Sequence, residues 1–224
     1  MRSPTKIALL LFLAVFCGGA VLLAFRVDAP VRAAVVSAQG NNWNESLEKK
    51  IYSKIRIYGD WPPIMVAAAV GYLVAKWNGN PRWSRIILAA MIASTLAGAL
   101  ANTSRLTTGR TRPRESPKIE QGFYGPWREG KLLIGNPAFN SFPSGHTATA
   151  FGFASVFFFA APAWGVLALI GAMSVAWASI AMGAHHPSDV VVSVILSFIV
   201  GWIVWQWIQR RSDKNPNESG PSGN

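Results

Sequence analysis

Three histidines, a serine–glycine pair and a set of arginines are the residues of this chain best suited to chemistry. His146 stands in Pro143-Ser144-Gly145-His146, and His185 and His186 lead into Pro187-Ser188-Asp189. His185 and Asp189 are four apart, so a carboxylate there can take the ring Nδ1 proton and leave Nε2 as a nucleophile. His186 and Asp189, three apart, are the competing pair, and simple helix capping by Asp189 beside Ser188 is the plainer role. Ser144-Gly145 at a helix start offers an anion exposed backbone N–H groups and a hydroxyl. Ordinary N-capping by Ser144 accounts for the same residues. Arg105 and Arg112, seven apart, face one ligand if a helix continues through both. Their forked donors suit phosphate oxygens, although arginines near a membrane also snorkel or hold lipid headgroups without specificity. Together these pieces point to phosphoryl transfer: cations neutralise the phosphate, one histidine attacks, another protonates the leaving oxygen. No metal cluster is legible. There is no HExxH, and the single cysteine, Cys17, lies inside an apolar run. No cofactor is expected.

Apolar segments must position these residues. No charge occurs from Ile7 to Phe25, Trp61 to Ala75, Ile86 to Ala101, Thr147 to Met182 or Val190 to Ile208. Such stretches have membrane length, which excludes a soluble globular enzyme. The fourth is too long for one helix, and Pro162 divides it. The expectation is an all-α bundle of six transmembrane helices, at about 7–25, 61–77, 84–104, 145–161, 163–183 and 188–209. It forms one membrane-embedded domain over 1–209, followed by a polar, disordered tail over 210–224. The first run is read as a retained helix rather than a cleaved signal peptide. Trp43, Leu47, Ile51, Ile55 and Tyr58 fall three or four apart among charged residues, giving an amphipathic helix on the membrane surface or packed on the other loops. Residues 105–142 form the longest loop, so an extramembrane region covers the histidine end of the bundle.

The chain is 51% hydrophobic and 14% charged, with a net charge of +11. The basic residues sit between apolar spans, where topology and anionic headgroups explain them better than nucleic acid does. Six spans put both termini on one side and both histidine clusters on the other. Arg2, Lys6, Lys76, Arg82, Arg85, Arg210, Arg211 and Lys214 fall on the terminal side and the remaining basic residues on the loop side. Read literally, that count places the loops in the cytoplasm.

The order Arg-Pro at 112–113, Pro-Ser-Gly-His at 143–146 and His-x-x-x-Asp at 185–189, on six helices, resembles the type 2 phosphatidic acid phosphatase family, over about Trp61 to Trp207. The resemblance implies a metal-independent membrane phosphatase acting on a lipid phosphate or diphosphate: undecaprenyl diphosphate, a phosphatidyl phosphate or the phosphate of lipid A. It implies His185 as the nucleophile forming a phosphohistidine, Asp189 orienting it, and His146 as general acid. Arg112, Ser144 and the Gly145 N–H would hold the phosphate. It also implies a bacterial inner membrane with the site facing the periplasm, against the literal charge count. Two positions depart from the pattern. Arg105 stands where the family has lysine, and Ala178-Ser179 stand where it has Ser-Arg. Loss of that arginine removes one phosphate clamp, worth about 2–4 kcal/mol of transition-state stabilisation. Arg110 or Arg114 can compensate if the loop folds over the site, and His186 is a further auxiliary. The partners expected are a lipid phosphate and the bilayer, with no nucleic acid and no obligatory protein. A lipid phosphotransferase and a weakened phospholipid-binding relative are the competing functions.

Overall fold

The computed structural model describes residues 4–40, 42–116 and 118–214. Seven α-helices follow in order: α1 Pro4–Ala38, α2 Leu47–Ile57, α3 Trp61–Trp77, α4 Pro81–Thr108, α5 Gly145–Ala160, α6 Pro162–Ala181 and α7 Pro187–Lys214. Six of them are apolar and α2 is amphipathic. Short 3-10 turns and one two-stranded hairpin, β1 Trp127–Arg128 with β2 Lys131–Leu132, interrupt the long loop between α4 and α5.

Central helix α5 packs against α4, α6 and α7. Small residues allow this. Ala89, Ala90, Ala93, Ala97 and Ala101 form a fully buried strip along α4. A Cβ at Gly152 would lie 2.9 Å from the Ala93 carbonyl oxygen, and one at Gly201 would lie 2.0 Å from Ser155 Oγ. Lipid tails are as apolar as leucine, so close backbone approach and interhelical hydrogen bonds must hold such a bundle. Ser94 Oγ donates to the Thr149 carbonyl at 2.9 Å, and Ser197 Oγ donates to that of Ala148 at 3.0 Å. Leucines, valines and tryptophans of α1, α3, α6 and α7 point outward, as a lipid-facing surface requires.

Helix lengths differ from the expectation at several ends. α1 has 35 residues and runs past Phe25 through Arg26 and Asp28 to Ala38. At 1.5 Å per residue it is about 52 Å long, more than the hydrocarbon core, so its last turns project on the loop side. α4 stops at Thr108, where Gly109 takes a left-handed conformation with φ 54. A side chain there would collide with the Gly125 carbonyl. Arg112 therefore lies on the loop and not on a continuation of α4. α7 continues to Lys214, through the first residues expected in the tail; residues 215–224 lie outside the described part.

One charged cluster ties three of these elements together. Asp28 of α1 accepts from Arg110 Nη2 at 2.6 Å, from the Ser188 N–H at 3.0 Å and from Ser188 Oγ at 2.6 Å. Arg110 Nη1 donates to both Asp189 Oδ1 and Ser188 Oγ. The rings of Phe25, Phe123 and Phe142 cover the guanidinium, with centroids at 5.1, 4.6 and 5.7 Å. All three charged side chains are buried. Removing one partner of such a group leaves an uncompensated buried charge, at a cost of about 3–5 kcal/mol. Asp28→Ala should therefore lower the melting temperature of the detergent-solubilised protein by an amount equivalent to about 3 kcal/mol. Melting at the wild-type temperature would show that α1 is held by its apolar contacts alone.

Candidate active site at the loop end of the bundle

α7 begins with a side-chain cap from its own first turn. Pro187 occupies the first turn, and Asp189 Oδ2 reaches back to accept the His186 backbone N–H at 2.7 Å. This fixes the 183–189 turn and with it both histidines. His185 Nδ1 lies 2.7 Å from the Ser141 carbonyl oxygen. A carbonyl only accepts, so Nδ1 carries the ring proton and Nε2 presents its lone pair. That Nε2 is buried and has no protein partner. The acceptor of the ring proton is thus the Ser141 carbonyl, while Asp189 Oδ2 stands 3.7 Å away and instead accepts from Ser141 Oγ at 2.6 Å. Asp189 and His185 are linked through Ser141. Burial holds the His185 imidazole down at about 4, against an upward pull from Asp189, so the ring is neutral at ordinary pH.

His186 is placed differently. Its Nε2 points to the Thr111 carbonyl at 3.2 Å, and its charged neighbours are Asp189, Arg110 and Asp28 rather than the other arginines. Its Nδ1 is buried without a partner.

The anion side of the site comes from α4, the long loop and the start of α5. Arg105 Nε donates to the Pro143 carbonyl at 2.8 Å and Nη1 to Asn102 Oδ1 at 3.1 Å, leaving Nη2 buried and unpaired. A Cβ at Gly145 would lie 2.9 Å from that Nη2, so only glycine lets the guanidinium lie over the first turn of α5. Arg112 Nη2 donates to the Asn140 carbonyl at 3.3 Å, and its Nε is unpaired. Burial foremost, then the charges of Arg114, Arg105 and Arg56, push Arg112 down to about 10, which still leaves it cationic. Ser144 makes no side-chain cap on α5, and its hydroxyl pairs with Thr147 Oγ1 at 2.9 Å. The first-turn N–H groups are therefore not covered by that side chain.

His146 is bracketed by two residues that the sequence reading did not single out. Its Nε2 lies 2.7 Å from Asp60 Oδ1, and its Nδ1 lies 3.4 Å from Arg56 Nη2. A guanidinium only donates, so Nδ1 accepts and Nε2 carries the proton. Partial burial pushes the Asp60 carboxyl up and Arg56 opposes that shift.

The flanking arginines take separate places. Arg110 is committed to Asp28 and Asp189, behind the 183–189 turn, and does not replace the arginine missing at Ser179. Arg114 lies at the rim with its Nε 3.3 Å from Glu115. Ser179 is buried and donates to the Val175 carbonyl at 2.8 Å. Among the described residues no three His, Cys, Asp or Glu side chains gather as a metal site. Asp28, Ser141, Arg56 and Asp60 are the site residues that sequence reasoning missed. Only Arg56 left a trace, as a charge beside Ile55 on an otherwise amphipathic repeat. What converges is an imidazole lone pair, several unpaired guanidinium nitrogens and a helix start, an arrangement that can hold a tetrahedral anion against a nucleophile.

The PAP2 superfamily model matches residues 83–213. The chain is similar to a lipid A 1-phosphatase of Rhizobium etli, 31% identical over 130 residues, which cover 58% of this chain and 49% of that protein. It is also similar to a lipid A 1-phosphatase of Porphyromonas gingivalis, 24% identical over 199 residues, 87% of this chain and 38% of that one. The matches thus span half or less of these relatives' length. Among solved structures it is similar to the crystal structure of Aquifex aeolicus LpxE, with TM-score 0.54 and 19% identity, covering 80% of this chain and 95% of that one. This is a likeness of fold. The family match takes in every site residue named above except Asp28, Arg56 and Asp60, and on that match, over more than half of its length, the chain belongs to the PAP2 superfamily.

Proposed function

We propose that this membrane protein is a lipid phosphate phosphatase that works through a phosphohistidine. The observation that carries the reading is the buried, partnerless Nε2 of His185, with its proton fixed on the far nitrogen, beside the unpaired nitrogens of Arg105 and Arg112. Nε2 attacks phosphorus and the phosphorus–oxygen bond to the lipid breaks. His146 acts as the acid in its doubly protonated form, with Asp60 against Nε2, and the Nε2 proton passes to the departing oxygen to leave a neutral imidazole. Water then attacks the phosphohistidine, giving its proton to His146 and releasing phosphate and free His185. Arg105, Arg112, Ser144 and the Gly145 N–H hold the phosphoryl oxygens. The relatives named above favour a phosphate on lipid A as substrate, ahead of undecaprenyl diphosphate or a phosphatidyl phosphate. A site facing the periplasm fits that substrate, and loop arginines engaged in chemistry explain why the basic count runs the other way.

Phosphate release should be measured in micelles containing each lipid phosphate, with EDTA present. Wild type is expected to release phosphate and His185→Ala to lose at least about 10³-fold in turnover. Equal release by both would remove His185 as the nucleophile.

The acid limb of kcat/KM should follow His185. Its folded-state pKa is lowered, so Nε2 stays unprotonated until the pH falls to about 4. A profile that instead breaks near the ordinary histidine value of about 6.5 would point to a solvated imidazole as the attacking group.

A further inference from the structure

Helix α2 lies across α6 and shows its two faces to different surroundings. Leu47, Ile51 and Tyr58 are exposed, whereas Ile55 packs into the core with Val175 and Ala176. Gly59, just past the helix, is buried so tightly that a Cβ would lie 2.4 Å from Val175 Cγ1. Arg56 stands on this inward side, while Lys50 and Lys54 of the same helix are exposed. Its Nη1 lies 3.6 Å from Met182 Sδ, its Nη2 3.4 Å from His146 Nδ1, and its Nε is buried without a partner. Among the described residues Arg56 forms no ion pair. A thioether and an imidazole are weak acceptors for a guanidinium. Of its charged neighbours Arg114 has the same sign and Asp60, which faces His146, the opposite one, and Arg56 is one of the cations that depress Arg112. A group of inward-facing arginines with unpaired nitrogens is held apart by repulsion until an anion of high charge enters. A phosphoryl group has that charge and enough oxygens to serve them all.

We propose that Arg56 is a third phosphate-binding arginine, supplied by α2 in place of the one absent at Ser179, and that it contacts the phosphoryl group beside His146. This inference rests on the phosphatase reading. Arg56 turns from His146 Nδ1 to donate to a phosphoryl oxygen, which frees Nδ1 to carry the second proton that the acid form of His146 needs. The clamp therefore comes from a segment outside the part of the chain that matches the superfamily.

The test uses the full chain in detergent, comparing wild type, Arg56→Ala, Arg56→Lys and His185→Ala on a responsive lipid phosphate. Inorganic phosphate serves as the competitive probe. Arg56→Ala is expected to lose about 100-fold in kcat and to bind inorganic phosphate about tenfold more weakly. Added guanidinium at millimolar concentration should restore part of its turnover, and none of that of His185→Ala. Arg56→Lys keeps the charge without the fork, should fall between, and carries the test if Arg56→Ala does not fold. Turnover and phosphate inhibition of Arg56→Ala within about threefold of wild type would overturn the proposal. So would a loss of turnover with unchanged phosphate inhibition and no rescue, since packing alone would explain it. Turnover retained by His185→Ala would overturn the phosphatase reading itself, and this inference with it.

Discussion

A buried ion cluster is the constraint on which the site depends. Arg110 lies between Asp28 and Asp189, under three phenylalanine rings, where an unpaired charge would be intolerable. Each member fixes a different part of the molecule: Asp28 the long first helix, Arg110 the loop leaving α4, Asp189 the start of α7. From Asp189 the order passes to Ser141 and from the Ser141 carbonyl to His185. The orientation of one imidazole is thus set by elements that meet only in the folded chain. Low polarity around the cluster makes its hydrogen bonds strong and its geometry narrow, which holds the free lone pair of His185 in one direction.

The rest of the bundle serves the same end with different means. Along α4, α5 and α7 the contacts are alanine, glycine and serine, so the backbones approach closely and the helix ends are held in register. The polar network at the loop end is then built on rigid supports. Among the described residues the buried unpaired nitrogens gather there, at His185, His186, Arg56, Arg105 and Arg112. Interior polarity elsewhere is satisfied by serines donating to carbonyls.

Much of this was legible because it is local. Pro-Ser-Gly-His and His-x-x-x-Asp each fit within one helical turn, and the charge-free runs mark the apolar helices. What escaped was set by distance along the chain. Arg56 and His146 are 90 residues apart, and Asp28 and Arg110 are 82. No spacing rule reaches across such gaps. Charge also misled. Arg26 and Asp28 read as the end of the first helix, yet the helix continues because Asp28 has partners waiting. Arg110 and Arg112 look equivalent two residues apart, but an isolated bridge from Arg110 to Phe123 in the loop places one behind the histidine turn and the other before it. The Ser141 carbonyl is a backbone atom and has no sequence signature at all.

Against 28 residues in each of its neighbours α4 and α7, helix α5 has only 16. That is about 24 Å, short of a hydrocarbon core about 30 Å thick. The start of α5 is level with the first turn of α7, where the Ser144 N–H donates to the Asp189 carbonyl at 3.3 Å, so the missing length falls at the tight turn into α6, at the far end from the histidines.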